Sequence, residues 1–133
     1  MAEFLLVEND PRIRELMTFF LERAGHTVRG AATFAAAVGA IRERRPDLML
    51  SDLEMGEESG REELPRLAAR GILPPTLVVS GFVDREAAEA LGALPGVVGA
   101  LAKPFDMGQL AKKVEEGLAR AAAARTAADG GAR

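Results

Sequence analysis

Short apolar runs alternate with segments of helical period along the chain. Phe4-Leu5-Leu6-Val7 is continuously apolar, the pattern of a strand buried on both faces. Asp10-Pro11 follows, an N-cap with proline at the first helical position. Ile13, Leu16, Met17, Phe20 and Leu21 then recur at i, i+3, i+4, i+7 and i+8, which predicts one helix face turned to a core. Gly25 ends that helix, and Thr27-Val28 reads as a weak second strand. Thr33 caps a helix with Phe34, Val38 and Ile41 on one side, ended by Pro46-Asp47. Leu48-Met49-Leu50 predicts a third strand, running into an acidic, glycine-bearing loop from Asp52 to Gly60. Leu64 and Leu67 mark a third helix; Pro65 places its start close by, because proline is tolerated only in a first turn. Gly71 and Pro74-Pro75 end it. Thr76-Leu77-Val78-Val79, the most β-branched run, is the fourth strand. Asp84 is positioned to cap a short helix with Ala87, Ala88 and Leu91, and Val97 to Leu101 forms a fifth strand. Asp106 caps the last helix, in which Leu110, Val114 and Leu118 recur every four residues.

Beyond Leu118 no large apolar residue follows. The expected organisation is one domain over 1–120 and an Ala/Gly/Arg-rich tail over 121–133. Alanine favours helix in the first half of that tail, and Asp129-Gly130-Gly131 is expected to be loose. Five strands alternating with five helices predict an α/β fold with a doubly wound parallel sheet. Such sheets bind ligands at the carboxyl ends of their strands, beside a topological switch point.

Composition removes several classes of function. Seventeen Lys and Arg against twenty Asp and Glu give a net charge of −3, which lacks the basic footprint of a nucleic-acid binder. Arg42, Arg44 and Arg45 sit at a helix C-terminus, where positive charge suits the dipole, and read as a solvated face. The absence of cysteine excludes disulfides, thiolate zinc sites and cysteine nucleophiles. The single histidine, His26, excludes a site built from several imidazoles, and its place after Gly25 reads as plain loop. No apolar run approaches the ~18 residues of a membrane span, and the N-terminus reads as a first strand with no basic lead segment. The expected compartment is the cytoplasm.

The strand ends carry the candidate chemistry. The first ends in Glu8-Asn9-Asp10, the third in Ser51-Asp52-Leu53-Glu54, the fourth in Ser80-Gly81 and the fifth in Lys103-Pro104-Phe105. Carboxylate and carbonyl oxygens suit a hard cation such as Mg²⁺, and a hydroxyl with a lysine suits a phosphoryl group. Neither a Walker-type loop nor a G-x-G-x-x-G is present, which argues against a cradled nucleotide.

These residues resemble the response-regulator receiver domain, the phospho-acceptor module of two-component signalling. The matching pieces are FLLVEND-P (4–11), PDLMLSDLEM (46–55), TLVVSG (76–81) and AKPF (102–105), in order and in register, and the resemblance spans about residues 3 to 118. It implies a flavodoxin-like sheet of strand order 2-1-3-4-5. It implies that Asp52 is the phospho-acceptor, that Lys103 is the active-site lysine ahead of a cis Pro104, and that Ser80 is the hydroxyl that moves onto the phosphoryl group. Glu8 and Asn9 match the acidic pair that helps hold Mg²⁺, and Glu54 the position whose backbone carbonyl completes the metal site. The implied partner is a histidine kinase or histidine phosphotransfer protein. The implied output is the surface of the fourth helix, fifth strand and fifth helix. A homodimer through that face is a further implication, although a short, alanine-rich fourth helix offers it few large anchors.

The sequence departs from the family in three places. Asn9 stands where a metal-binding aspartate is usual, so the site loses one charge, and weaker Mg²⁺ binding is expected. Gly56 replaces a usual proline in the acceptor loop, which is expected to be less rigid. Ala100 stands where many receivers carry an aromatic switch, and Phe82 is the nearest candidate for a moving ring. Two other readings stand beside the receiver: a pseudo-receiver that binds partners without phosphorylation, and a small aspartyl-phosphate hydrolase. The hydrolase would need a D-x-D after the first strand, and Glu8-Asn9-Asp10 lacks it. The sequence carries no output domain, which fits a single-domain regulator or a piece of a longer protein.

Overall fold

In the computed structural model, residues 1–81 and 84–131 are described, with side chains described as far as Thr126. Twelve elements follow in order: β1 (Glu3–Val7), α1 (Pro11–Arg23), β2 (Thr27–Ala31), α2 (Phe34–Glu43), β3 (Leu48–Asp52), β4 (Glu54–Met55), β5 (Glu58–Ser59), α3 (Gly60–Ala69), β6 (Thr76–Ser80), α4 (Arg85–Leu91), β7 (Val97–Ala102) and α5 (Met107–Gly131). Five strands form one parallel sheet in the order β2-β1-β3-β6-β7. With β6 and β7 as the fourth and fifth main strands, this is the expected 2-1-3-4-5.

Alternation along each strand builds a core on both faces. Leu5, Val7, Met49 and Val78 pack with Phe34, Ile41, Leu64, Leu67 and Leu91, from α2, α3 and α4. Phe4, Leu6, Leu48, Leu50 and Leu77 pack on the other side with Met17, Leu21, Leu110 and Val114, from α1 and α5. The central strands β3 and β6 are buried at every position, as continuous apolar runs between two helical layers should be. His26 is fixed against this core: its Nδ1 accepts the Ala2 N–H at 3.1 Å and its ring centroid lies 4.7 Å from that of Phe4.

Caps set the helix starts. Asp10 accepts the Arg12 N–H ahead of Pro11, and Thr33 accepts that of Ala36. Asp106 and Gln109 each accept the other's backbone N–H at 2.8 Å, a reciprocal box at the head of α5. Gly25 ends α1 at φ +98, a conformation that favours glycine.

Several expectations are corrected. Leu16, expected on the core face of α1, is 57% exposed. At 3.6 residues per turn Leu16 lies at one edge of that stripe and Met17 and Leu21 at the other, and only the latter edge is fully covered. Pro65 is the sixth residue of α3 and not in its first turn. The carbonyl that loses a helical donor there is that of Arg61, on the exposed first turn. Asp84 precedes α4 but makes no cap bond; its side chain is buried, with Oδ1 3.9 Å from the Arg61 Nε. The segment read as a loop after Asp52 contains an antiparallel ribbon of β4 and β5, turning at Gly56 with φ +72. Helix α5 runs past residue 120, as the alanines of the tail's first half favoured, and Asp129-Gly130-Gly131, expected to be loose, lie within it. Ala121 is buried, and Arg120 Nη1 donates to the Val98 carbonyl at 2.8 Å.

Gly60 is required for close approach. A Cβ there would lie 2.8 Å from Leu53 Cδ2 and 2.9 Å from Leu53 Cα, so α3 can abut the end of β3 only without a side chain. Gly60→Ala is expected to lower stability by about 1–3 kcal/mol, whereas Gly39→Ala, on the open face of α2, is expected to raise it by about 0.5–1 kcal/mol. Urea unfolding of both variants checks the contrast.

Candidate functional site

Three strand ends meet at the switch point of the sheet, where β1 and β3 lie side by side and the chain winds away in both directions. Glu8 follows β1, Asp52 closes β3, and Lys103 follows β7. Lys103 reaches back across the strand ends so that its Nζ lies 2.6 Å from Asp52 Oδ2 and 3.4 Å from Glu8 Oε1. The Asp52 and Glu8 side chains are buried, and that of Lys103 is 28% exposed. The Lys103–Pro104 peptide is cis, as the resemblance implied.

Each carboxylate has a second support. Asp52 Oδ1 accepts the Glu54 backbone N–H at 3.0 Å, and Glu8 Oε2 accepts that of Asp10 at 3.1 Å. The Glu8 carbonyl is gripped by Arg14 Nη1 at 2.7 Å. Arg14 lies across Gly30 of β2, where an added Cβ would sit 3.1 Å from its Cδ. Sequence reasoning missed Arg14; its signal is a basic residue on the first turn of α1 opposite a glycine in the neighbouring strand.

The remaining residues take different positions. Ser80 ends β6, one residue past Val79, the register partner of Asp52; its side chain is buried and its carbonyl accepts the Lys103 N–H at 2.7 Å. Asn9 is exposed and faces the ribbon: a Cβ on Gly56 would lie 3.4 Å from its Nδ2. The Glu54 side chain is exposed, so what that residue presents to Asp52 is backbone. Ala100 is exposed on β7, and the expectation for Phe82 lies outside the described residues.

The charges do not balance. Two buried carboxylates share one ammonium. Burial raises the Glu8 pKa above its ordinary 4.5, the Asp10 N–H lowers it, and the charge of Asp52 raises it again. Burial pulls Lys103 down, but its hydrogen bond to Asp52 and the two negative charges outweigh this, and the net shift is upward. Among the described residues no three acidic or histidine side chains converge as a metal cage. Of the oxygen donors that the resemblance implies, the Glu8 and Asp52 carboxylates meet at Lys103, while Glu54 reaches Asp52 through its backbone N–H and Asn9 is exposed. Two buried carboxylates on one ammonium carry an uncompensated negative charge, which fits a hard divalent cation.

Comparison with known proteins gives a concordant result. Residues 4–115 match the family described as response regulator receiver domain. Protein PilH of Pseudomonas aeruginosa is 30% identical over 122 residues, which cover 90% of this chain and 99% of PilH. The DNA-binding transcriptional regulator NtrC of Azospirillum brasilense is 29% identical over 118 residues, 88% of this chain but 24% of NtrC. Among solved structures, NtrX from Brucella abortus superposes with a TM-score of 0.86 at 26% identity, covering 96% of this chain and 29% of NtrX. The chain thus spans about a quarter of the length of NtrC, and nearly all of PilH. It belongs to the response regulator receiver domain family of two-component systems.

A raised Glu8 pKa has a definite sign. Between pH 4.5 and its higher folded value the folded state holds a proton that the unfolded state has released, so stability falls as pH rises through that window. In metal-free buffer Glu8→Gln is expected to remove this fall and to be more stable than the parent chain at neutral pH. Urea midpoints across pH 4 to 8 check it.

Proposed function

We propose that this chain accepts a phosphoryl group on Asp52 from a phosphohistidine donor, a histidine kinase or histidine phosphotransfer protein, in the cytoplasm. The observation that carries the reading is the convergence of Asp52, Glu8 and Lys103 from three strand ends onto one ammonium. In the transfer, an Asp52 oxygen attacks phosphorus, the P–N bond to the donor imidazole breaks, and the imidazole leaves with the bonding pair. Lys103 neutralises the carboxylate and then the phosphoryl oxygens. The Glu8 and Asp52 carboxylates, the Glu54 carbonyl and the Asn9 amide oxygen would hold Mg²⁺, which would supply the rest of the neutralising charge. The neutral Asn9 makes that affinity weaker than a full acidic pair would give.

The acyl phosphate adds about −2 of charge and strong acceptor oxygens. Ser80 would donate to them, and its carbonyl accepts the Lys103 N–H, so the product would act on β6 and β7 together. That supports an output through α4, β7 and α5. The donor is proposed to dock elsewhere. Ile13, Leu16 and Met17 of α1 with Pro104, Phe105 and Met107 line an apolar cleft of about 390 Å³ that also touches Lys103, next to the acceptor.

Acetyl phosphate with Mg²⁺ is expected to add the mass of one phosphoryl group to the intact chain, and Asp52→Asn to remove that gain. A parent chain that gains no mass overturns the reading and leaves the phosphorylation-independent interaction module in its place. Leu16→Glu is expected to slow transfer from a phosphorylated protein donor about tenfold, the loss of one apolar anchor, while labelling by acetyl phosphate stays at the parent rate.

A further inference from the structure

We infer that Glu58 is a positioning residue for the acceptor site, tying the backbone that meets Asp52 to the head of α2. The inference rests on the phospho-acceptor reading. It starts from the ribbon of β4 and β5, only two residues on each side. A hairpin of that size does not hold itself together in water, and its turn passes through Gly56, the residue with the most conformational freedom to lose. Something outside the ribbon must hold it.

Two anchors grip it, one at its base and one beside its turn. The Gly60 N–H donates to the Leu53 carbonyl at 2.9 Å, and Met55 is buried in the core. A third contact grips the outer strand: Glu58 Oε1 accepts the backbone N–H of Phe34 at 2.9 Å. Phe34 is the first residue of α2, so no carbonyl of its own helix can satisfy that N–H. A carboxylate there gains from the charge-assisted bond and from the positive end of the helix. The far end of the tether is firm, because Phe34, Ala37 and Ile41 bury α2 against the sheet.

The path from this tether to the acceptor is short. Glu58 is in register with Met55, and Ser59 with Glu54. Glu54 then donates its N–H to Asp52 Oδ1 at 3.0 Å and carries the carbonyl assigned to the cation. Glu58 touches neither the acceptor nor Lys103; it acts through the placement of Glu54. It supplies from a side chain the restraint that Gly56 removes from the backbone.

The test uses the whole chain with Glu58→Ala and Glu58→Gln, the latter keeping the acceptor oxygen. The first readout needs no metal: amide hydrogen exchange of Glu54 and Phe34 is expected to speed up in Glu58→Ala and to stay near the parent in Glu58→Gln. The second is Mg²⁺ titration, in which Glu58→Ala is expected to weaken binding about tenfold, as loss of a support behind a ligand does. Phosphorylation by acetyl phosphate should then recover at saturating Mg²⁺. Should Glu58→Ala fail to fold, Glu58→Asp, which keeps the charge and shortens the reach, is expected to show the same two changes. Parent-like exchange at Glu54 in the tetherless variant, or an equal loss in Glu58→Gln, overturns the inference. A parent chain that binds no Mg²⁺ and accepts no phosphoryl group sinks the function instead, since the exchange readout still decides the tether.

Discussion

One ammonium between two buried carboxylates governs this molecule. Lys103 Nζ stands 2.6 Å from Asp52 and 3.4 Å from Glu8. A close pair of opposite charges is worth roughly 4 kcal/mol at 4 Å in a medium of intermediate dielectric, whereas stripping each ion of water costs several kcal/mol. A single cation therefore cannot offset two desolvated anions, and the deficit falls on Glu8, whose pKa rises. The site is built short of positive charge. Under the proposed function a divalent cation would relieve that shortage and an incoming phosphoryl group, itself anionic, would deepen it, which would tie acceptance of one to the presence of the other.

The fold holds those three charges together. Strands β1 and β3 are locked side by side, each residue of the Phe4–Val7 run in register with one from Leu48 to Ser51. Lys103 comes from the far edge of the sheet and is held in place by its own N–H on the Ser80 carbonyl. Around this rim the supports are backbone groups aimed at carboxylates, Asp10 N–H on Glu8 and Glu54 N–H on Asp52. Such groups do not reorganise freely, which suits a site where charge is about to change. At the Gly56 ribbon the chain places Met55 in the core and ties Glu58 to α2.

Much of this was legible in the residues. The apolar runs gave five strands because parallel strands between helical layers have no polar face to blur the pattern. Glu8, Asp52, Ser80 and Lys103 stood at strand ends, where this topology concentrates chemistry, and the structure brings Glu8, Asp52 and Lys103 into direct contact. What the residues did not disclose depends on contacts between distant segments. The Glu58 bond spans 24 positions and follows no periodicity. Leu16 fits the helical stripe as well as Met17 does, and only the packing of the helix decides which edge is covered. Asp84 has the right type and place for a cap, but its carboxylate is turned toward Arg61. The alanines after Leu118 favoured helix only in the first half of the tail, and α5 carries it on through Gly131.

The shared ammonium is tested most directly by a double-mutant cycle on metal-free protein, combining Lys103→Met with Asp52→Asn and reading urea unfolding at neutral pH. Removing Lys103 alone leaves two buried carboxylates uncompensated and is predicted to cost about 3–5 kcal/mol. In the Asp52→Asn background the same change is predicted to cost less by about 2 kcal/mol, the coupling of groups in direct contact. Equal costs in the two backgrounds would contradict the account, because they would mean that Lys103 and Asp52 do not meet in solution.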